Sequence, residues 1–218
     1  NGQIPYIAVS KLEQSFPEIE SVAVLYPNYG SSLKHGERDL GYPLFEFVDE
    51  RFFRMFPPKV IVGEVDENSL KNSNEMIVAE SYARKHFGTP EEALGEILVS
   101  GYDESYVIRA VIADPPSNSI FQRGGYFPDT HGKLFYAMAD EKTQWKDLHD
   151  TRLYIKLHQQ ADLKKFREKL STFAVDNGYN DDLLFDLTPL SLARFAILDS
   201  FESRIIYDLK YIRMFIFA

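Results

Sequence analysis

The sequence predicts an α+β fold in which a β-rich lobe is inserted between two βαβ-like halves. Three observations lead there. A helix followed by extended segments fills the first 62 residues, and a strand–helix–strand unit recurs at residues 151–187. The stretch between them is rich in β-branched runs separated by Gly- and Pro-bearing turns. The halves share a pattern and no repeated sequence.

Taken in order, the first helix follows from Val9, Leu12 and Phe16 on one face, with Ser10 and Glu13 as a capping box and Pro17 as its stop. Residues 21–26 (Ser-Val-Ala-Val-Leu-Tyr) read as a strand. Residues 27–42 are polar, contain glycine and have no hydrophobic period, so they are expected to project as a surface loop. Residues 45–48 form a short strand. Asp49 then caps a helical turn carrying Phe52, Phe53 and Phe56, which Pro57-Pro58 ends. Val60-Ile-Val62 is extended.

The middle opens with Glu75-Met-Ile-Val-Ala-Glu-Ser-Tyr-Ala-Arg-Lys-His-Phe-Gly88, a strand running into a short amphipathic helix capped by Gly88. Thr89-Pro90-Glu91-Glu92 is a second capping box with Pro at the first helical position, and Gly95 follows that helix. Val107-Ile-Arg-Ala-Val-Ile-Ala-Asp-Pro-Pro-Ser-Asn-Ser119 belongs to a strand, 106–114, apolar on both faces and hence central in a sheet. Residues 117–132 read as a loop and 133–139 as a strand.

In the second half, Leu153, Ile155 and Leu157 alternate with Arg152, Tyr154, Lys156 and His158. Asp162 starts a helix with Leu163, Phe166, Leu170 and Phe173 on one face and Gly178 beyond it; residues 183–187 give the returning strand. The tail, 205–218, ends Tyr-Ile-Arg-Met-Phe-Ile-Phe-Ala, an apolar run expected to be a core helix or the first turns of a transmembrane helix. The organisation expected is therefore 1–62 and 150–204 as the two parts of one lobe, 63–149 as the inserted lobe, and 205–218 as a membrane-proximal segment.

Composition narrows the chemistry. A net charge of −9 argues against a nucleic-acid partner. The absence of cysteine excludes disulfides, thiolate zinc sites and cysteine nucleophiles. No apolar run is long enough to span a bilayer, and no signal-peptide pattern is present. Asn1 in place of Met reads as an excised piece with Asn1-Gly2 as a scar.

No catalytic, cofactor or metal residue emerges from the motifs. The histidines (His35, His86, His131, His149 and His158) lack metal-ligand spacing. Asp176-Asn-Gly-Tyr-Asn-Asp-Asp182 has a calcium-like composition without the ordered ligand positions and distal Glu of a calcium loop, and reads as a helix end and turn. Ser81 is outside any nucleophile elbow; Asp129 and His131 have no partner serine; Gly124-Gly125 lacks a phosphate-loop context. Lys164, Lys165, Arg167 and Lys169 form a basic helix face, read as solvated. Tyrosines Tyr26, Tyr29, Tyr42, Tyr102 and Tyr126 fall in or beside loops, where such rings favour binding surfaces or pack over the core rim. Tyr29, Tyr42 and Tyr126 are the candidate partner-contact residues.

The strand–helix unit at 75–88, Ala93-Leu-Gly95 and the 107–119 strand, in that order, resemble the extracytoplasmic core domain of MacB/FtsX-type ABC transporter permeases, in the style of Bacteroidetes versions. The likeness extends over Phe47-Val-Asp-Glu-Arg-Phe-Phe-Arg-Met-Phe56, Trp145 with Thr151-Arg-Leu-Tyr-Ile-Lys-Leu157, Leu187-Thr-Pro-Leu-Ser191 and the apolar tail, covering about residues 20–218. It implies a porter-like lobe of two discontinuous βαβ segments with an inserted second lobe. It also implies a place between two membrane helices on the periplasmic face of a Gram-negative inner membrane. The domain would be non-catalytic and without cofactor, transmitting ATP-driven motion in efflux or mechanotransmission. Its implied partners are a cytoplasmic ABC ATPase, a second permease protomer and a periplasmic adaptor or cargo, with the isolated domain monomeric. The alternative is a stand-alone ligand- or peptide-binding sensor ectodomain using the tyrosine-bearing loops.

Overall fold

Central strands buried on both faces organise one of the chain's two units. The computed structural model describes residues 4–5, 7–27, 32–66, 68–72, 74–116, 119, 121, 124–129, 144, 148–149, 152–178, 184–190 and 211–217. Two units separate: Leu25–Thr130, and Asn1–Val24 with His131–Ala218. An α+β chain whose outer lobe is discontinuous and whose second lobe is inserted is thus the observed architecture. The insertion, however, begins at Leu25 and ends at Thr130 rather than spanning 63–149.

The inserted unit shows why its boundary lies earlier. Its strands run in the order β2 (Ile19–Pro27, contributing its last residues), β5 (Phe45–Val48), β10 (Gly125–Pro128), β7 (Glu75–Ala79), β9 (Ser105–Ile112), β8 (Ile97–Ser100), β3 (Leu33–His35) and β4 (Arg38–Gly41), with β6 (Val60–Gly63) also paired to β9. The segments 45–48 and 60–63, assigned from sequence to the first half, therefore build this sheet. β5 pairs in parallel with β10 through Phe45↔Gly125, and β6 pairs antiparallel with β9 through Gly63↔Ala110.

β7 and β9 are parallel neighbours, a pairing that needs a crossover. The crossover contains α3 (Glu80–Phe87) and α4 (Pro90–Ala93). Gly88, at φ 95, ends α3, and Thr89 with Glu92 makes the reciprocal capping box of α4 with Pro90 at its start. The first turn of α3 is capped from a distance. The Asp114 carboxylate, just past β9, accepts the Ser81 backbone N–H at 3.0 Å and its hydroxyl at 2.5 Å. Met76, Val78, Tyr82, Ala83, Leu98, Ile108, Val111 and Phe127 share one core cluster with Leu33 and Phe45.

The sheet of this unit is curled. Gly41 ends β4 and Phe45 begins β5, strands at distant places in the order, yet three residues join them and reach no more than about 14 Å. Seven strands laid flat would hold them about 29 Å apart.

Three strands lie where loops were expected. Residues 33–41 form the β3–β4 hairpin, which pairs with β8 and places Leu33 in the core. β10 lies inside the expected 117–132 loop, and all four of its residues are buried. Gly125 fits there because a Cβ would stand 2.6 Å from the Ile77 carbonyl and 2.9 Å from the Phe45 ring. The helical turn α2 (Phe52–Met55) forms as expected, but Asp49 does not cap it; its carboxylate is held by the Arg51 backbone N–H and guanidinium.

The outer unit has the strand order β13 (Leu184–Pro189), β14 (Tyr211–Phe217), β12 (Arg152–Leu157) and the first part of β2, with β1 (Ile4–Pro5) and β11 (Leu148–His149) as a separate pair. α1 (Ile7–Ser15) starts three residues before Ser10, whose hydroxyl donates to the Ile7 carbonyl at 3.1 Å and so is no cap. Asp162 does cap α5 (Leu163–Asp176), accepting from the Lys164 and Lys165 backbone N–H groups. Phe16 packs edge-on against Phe166 at 5.1 Å, and Phe173 against Phe185 at 5.3 Å, joining α1, α5 and β13. The tail is corrected: residues 211–217 are a strand parallel to both β12 and β13, not a helix. The expected strand at 133–139, together with Trp145 and 191–204, lies outside the described residues.

Candidate functional site

The curled sheet sorts the candidate tyrosines. Tyr126 is on β10 and 3% exposed, tilted against Phe52 at 5.5 Å and edge-on to Phe53 at 5.4 Å, so its expected role as a loop contact is replaced by one in the core. The signal misread was Gly-Tyr-Phe-Pro: its flanking glycine and proline look like a turn, although Tyr and Phe both favour strands. Tyr42 is 73% exposed just after β4. Tyr29 lies outside the described residues.

A second exposed ring joins Tyr42. Leu33, the first residue of β3, is flanked by Gly41 on β4 and Ser100 on β8. The Gly101 backbone N–H donates to the Ser32 carbonyl at 2.9 Å, fixing the β8–β9 turn against the start of β3. Tyr42 and Tyr102 therefore leave the sheet at one end, on either side of Ser32, although sixty positions separate them in sequence. Tyr102 is 75% exposed, and Leu44 is exposed beyond Tyr42. Strand register alone creates this pairing, and nothing local to either tyrosine signals it.

Ser81, His35 and His86 are engaged structurally. Ser81 donates its hydroxyl to Asp114. His35 pairs with Glu96 at 2.5 Å and stands edge-on to Phe87. His86 stacks on Tyr82 at 4.4 Å, while its carbonyl accepts from Arg38. Burial, then the charges of Lys85 and Arg38, hold the His86 imidazole below its usual pKa. Burial likewise pushes the Tyr82 and Tyr106 phenols well up, Tyr106 further through its bond to Glu104. His158 is exposed, and its backbone N–H donates to the Glu18 carbonyl. Asp129 is buried beside β5, its N–H bonded to the Val48 carbonyl; His131 and residues 179–182 lie outside the described residues.

The basic face of α5 is partly neutralised. Lys169 pairs with Glu18, lowering that carboxyl's pKa, and Arg167 donates to the Leu187 carbonyl at 3.0 Å. Among the described residues no cluster of three metal-ligating side chains occurs, and no helix is long and apolar enough to cross a membrane. What the surface offers is contact area and charge.

The fold resembles that of three solved domains from permease or transporter proteins. A domain assigned to a permease protein of Porphyromonas gingivalis shares it at TM-score 0.63 and 17% identity, over 83% of this chain and 81% of that one. The periplasmic region of MacB from Actinobacillus actinomycetemcomitans matches at TM-score 0.58 and 15% identity, over 83% and 77%. The extracellular domain of the ABC-type transporter YknZ from Gram-positive bacteria matches at 0.55 and 13%, over 81% and 85%. No family model and no curated protein matches the sequence. At these identities the likeness is one of fold.

Proposed function

We propose that this chain is the extracytoplasmic domain of an ABC transporter permease subunit, with no chemistry of its own, that transmits ATP-driven motion and docks partners or cargo. The observation that carries the reading is the fold shared over about four-fifths of the chain with a permease domain, the periplasmic region of MacB and the extracellular domain of YknZ. The engagement of the Ser81 hydroxyl and the His35 ring in structural contacts agrees with a mechanical rather than hydrolytic role. Its partners on this reading are a cytoplasmic ABC ATPase reached through membrane helices, a second permease protomer, and an adaptor or cargo. The residues proposed for docking are Tyr42 and, from the structure, Tyr102.

The fold occurs in a periplasmic region and in a Gram-positive extracellular domain alike. It therefore supports an extracytoplasmic place, and the Gram-negative inner membrane is the proposal's finer form. The test is the complete reading frame. One hydrophobic span before this segment and three after it, beside an ATPase gene, support the permease. A single span or none moves the sensor reading to first place. A tight dimer of the isolated domain at micromolar concentration in sedimentation would defeat the expectation that its protomers are held together through the membrane.

A further inference from the structure

The sheet end bearing Tyr42 and Tyr102 combines three features. Gly41 and Ser100 lie on opposite sides of Leu33, so the two rings leave the sheet from points about 10 Å apart, the span of three residues of extended chain. Among the described residues β4 is the last strand of its order, which leaves one side of it as an edge. The charge is balanced along the hairpin, where Glu37 and Asp39 offset Lys34 and Arg38, and negative in the turn beside Tyr102, which carries exposed Asp103, at φ 61, and Glu104. The whole unit Leu25–Thr130 carries seventeen Asp and Glu against ten Lys and Arg, so it holds most of the chain's net charge of −9.

We propose that this end of the inserted unit docks an extended, Lys/Arg-bearing segment of a partner protein. The proposal rests on the reading of the chain as a partner-docking ectodomain and names the chemistry of the partner. Tyrosine faces attract guanidinium and ammonium groups, the carboxylates concentrate them at the surface, and the open edge of β4 accepts an extended main chain. Both rings stand in water in the free protein, so they add contact area without repacking the core.

The test is fluorescence anisotropy of a labelled peptide alternating Arg or Lys with Ser, against an Asp/Ser peptide of equal length, with the protein spanning residues 1–218. The basic peptide binds and the acidic one does not, and its affinity falls at least tenfold as salt rises from about 50 to 300 mM. The double variant Tyr42→Ser/Tyr102→Ser weakens binding about fivefold or more, each ring contributing a stacking contact. Glu91→Gln, a charge loss on α4, changes it less than twofold. Circular dichroism checks that each variant keeps its fold. Absence of binding, or binding indifferent to the tyrosines, overturns the proposal. So does self-association in sedimentation that the same double variant abolishes, since the occupant would then be a second copy. Failure here leaves the permease reading intact, because that reading is decided by membrane spans and an ATPase gene. Conversely, a reading frame without spans removes the transporter and leaves peptide binding as measured.

Discussion

Replacing Leu33 with Ala separates the observed hairpin from the surface loop that its surroundings imitate. The side chain is fully buried in the core of the inserted unit, between its β4 and β8 partners. The substitution deletes three carbons, worth about 0.8 kcal/mol each in transfer. A residual cavity beneath β3 brings the total to about 3 kcal/mol, within the range of buried Leu→Ala changes. A domain of this size is stable by about 5–15 kcal/mol, so the loss is a large share. With a urea slope of about 2 kcal/mol/M, the midpoint of the transition reporting Leu25–Thr130 falls by about 1.5 M. Urea unfolding followed by circular dichroism, with hydrogen exchange at β7 and β9 amides to assign the transition, measures it. The exposed neighbour Lys34→Ala serves as control and stays within about 0.5 kcal/mol. A Leu33→Ala loss as small as the control's refutes the hairpin and the docking end built on it.

Three further outcomes are expected. Gly63→Ala is severely destabilising, by about 3 kcal/mol or more, because φ is +81 and the new Cβ would lie 2.3 Å from the Arg109 carbonyl; a thermal midpoint within a degree or two of wild type contradicts it. His86 has a folded-state pKa below its unfolded value of about 6.5, so the folded protein takes up the proton less readily than the unfolded chain. Its contribution is complete above that pH and is lost as pH falls through the lowered value; His86→Gln flattens this part of the stability profile, and parallel wild-type and variant profiles would show the reasoning wrong. Asp162→Ala removes the cap of α5 and costs about 1 kcal/mol, read as a lowered urea midpoint of the outer unit, with Asp162→Asn restoring most of it.

Local chemistry was readable wherever one residue type has one use. Gly88, the Thr89–Glu92 box and Asp162 marked helix ends correctly because caps are built from neighbours in sequence. β9 was recognisable as central from its two apolar faces. Ser10 and Asp49 fit a cap pattern but are used otherwise, while the missed strands share a different cause: the information lay across strands. β3 and β4 together span seven residues with Leu33 and Leu40 turned inward, too few to set a period. β10 is covered on both sides by partners distant in sequence, and the apolar run of β14 suits helix and strand equally until β12 and β13 are seen beside it. The docking end was half legible for the same reason. An exposed Tyr42 follows from a polar segment, but its companion Tyr102 is supplied by register.

The position of β14 has a consequence for the order in which the molecule is made. β12 and β13 are not paired with each other; the strand between them is synthesised last of the three. The inserted unit is one continuous stretch of chain and is ready to fold as soon as Thr130 has emerged. The outer unit has no such freedom. Its sheet stays open until Tyr211–Phe217 is made, some eighty residues after Thr130, and from Pro189 onward β12 and β13 each present an unpaired edge to that strand. During that interval the inserted unit has its complete chain while the outer unit still lacks the strand between β12 and β13.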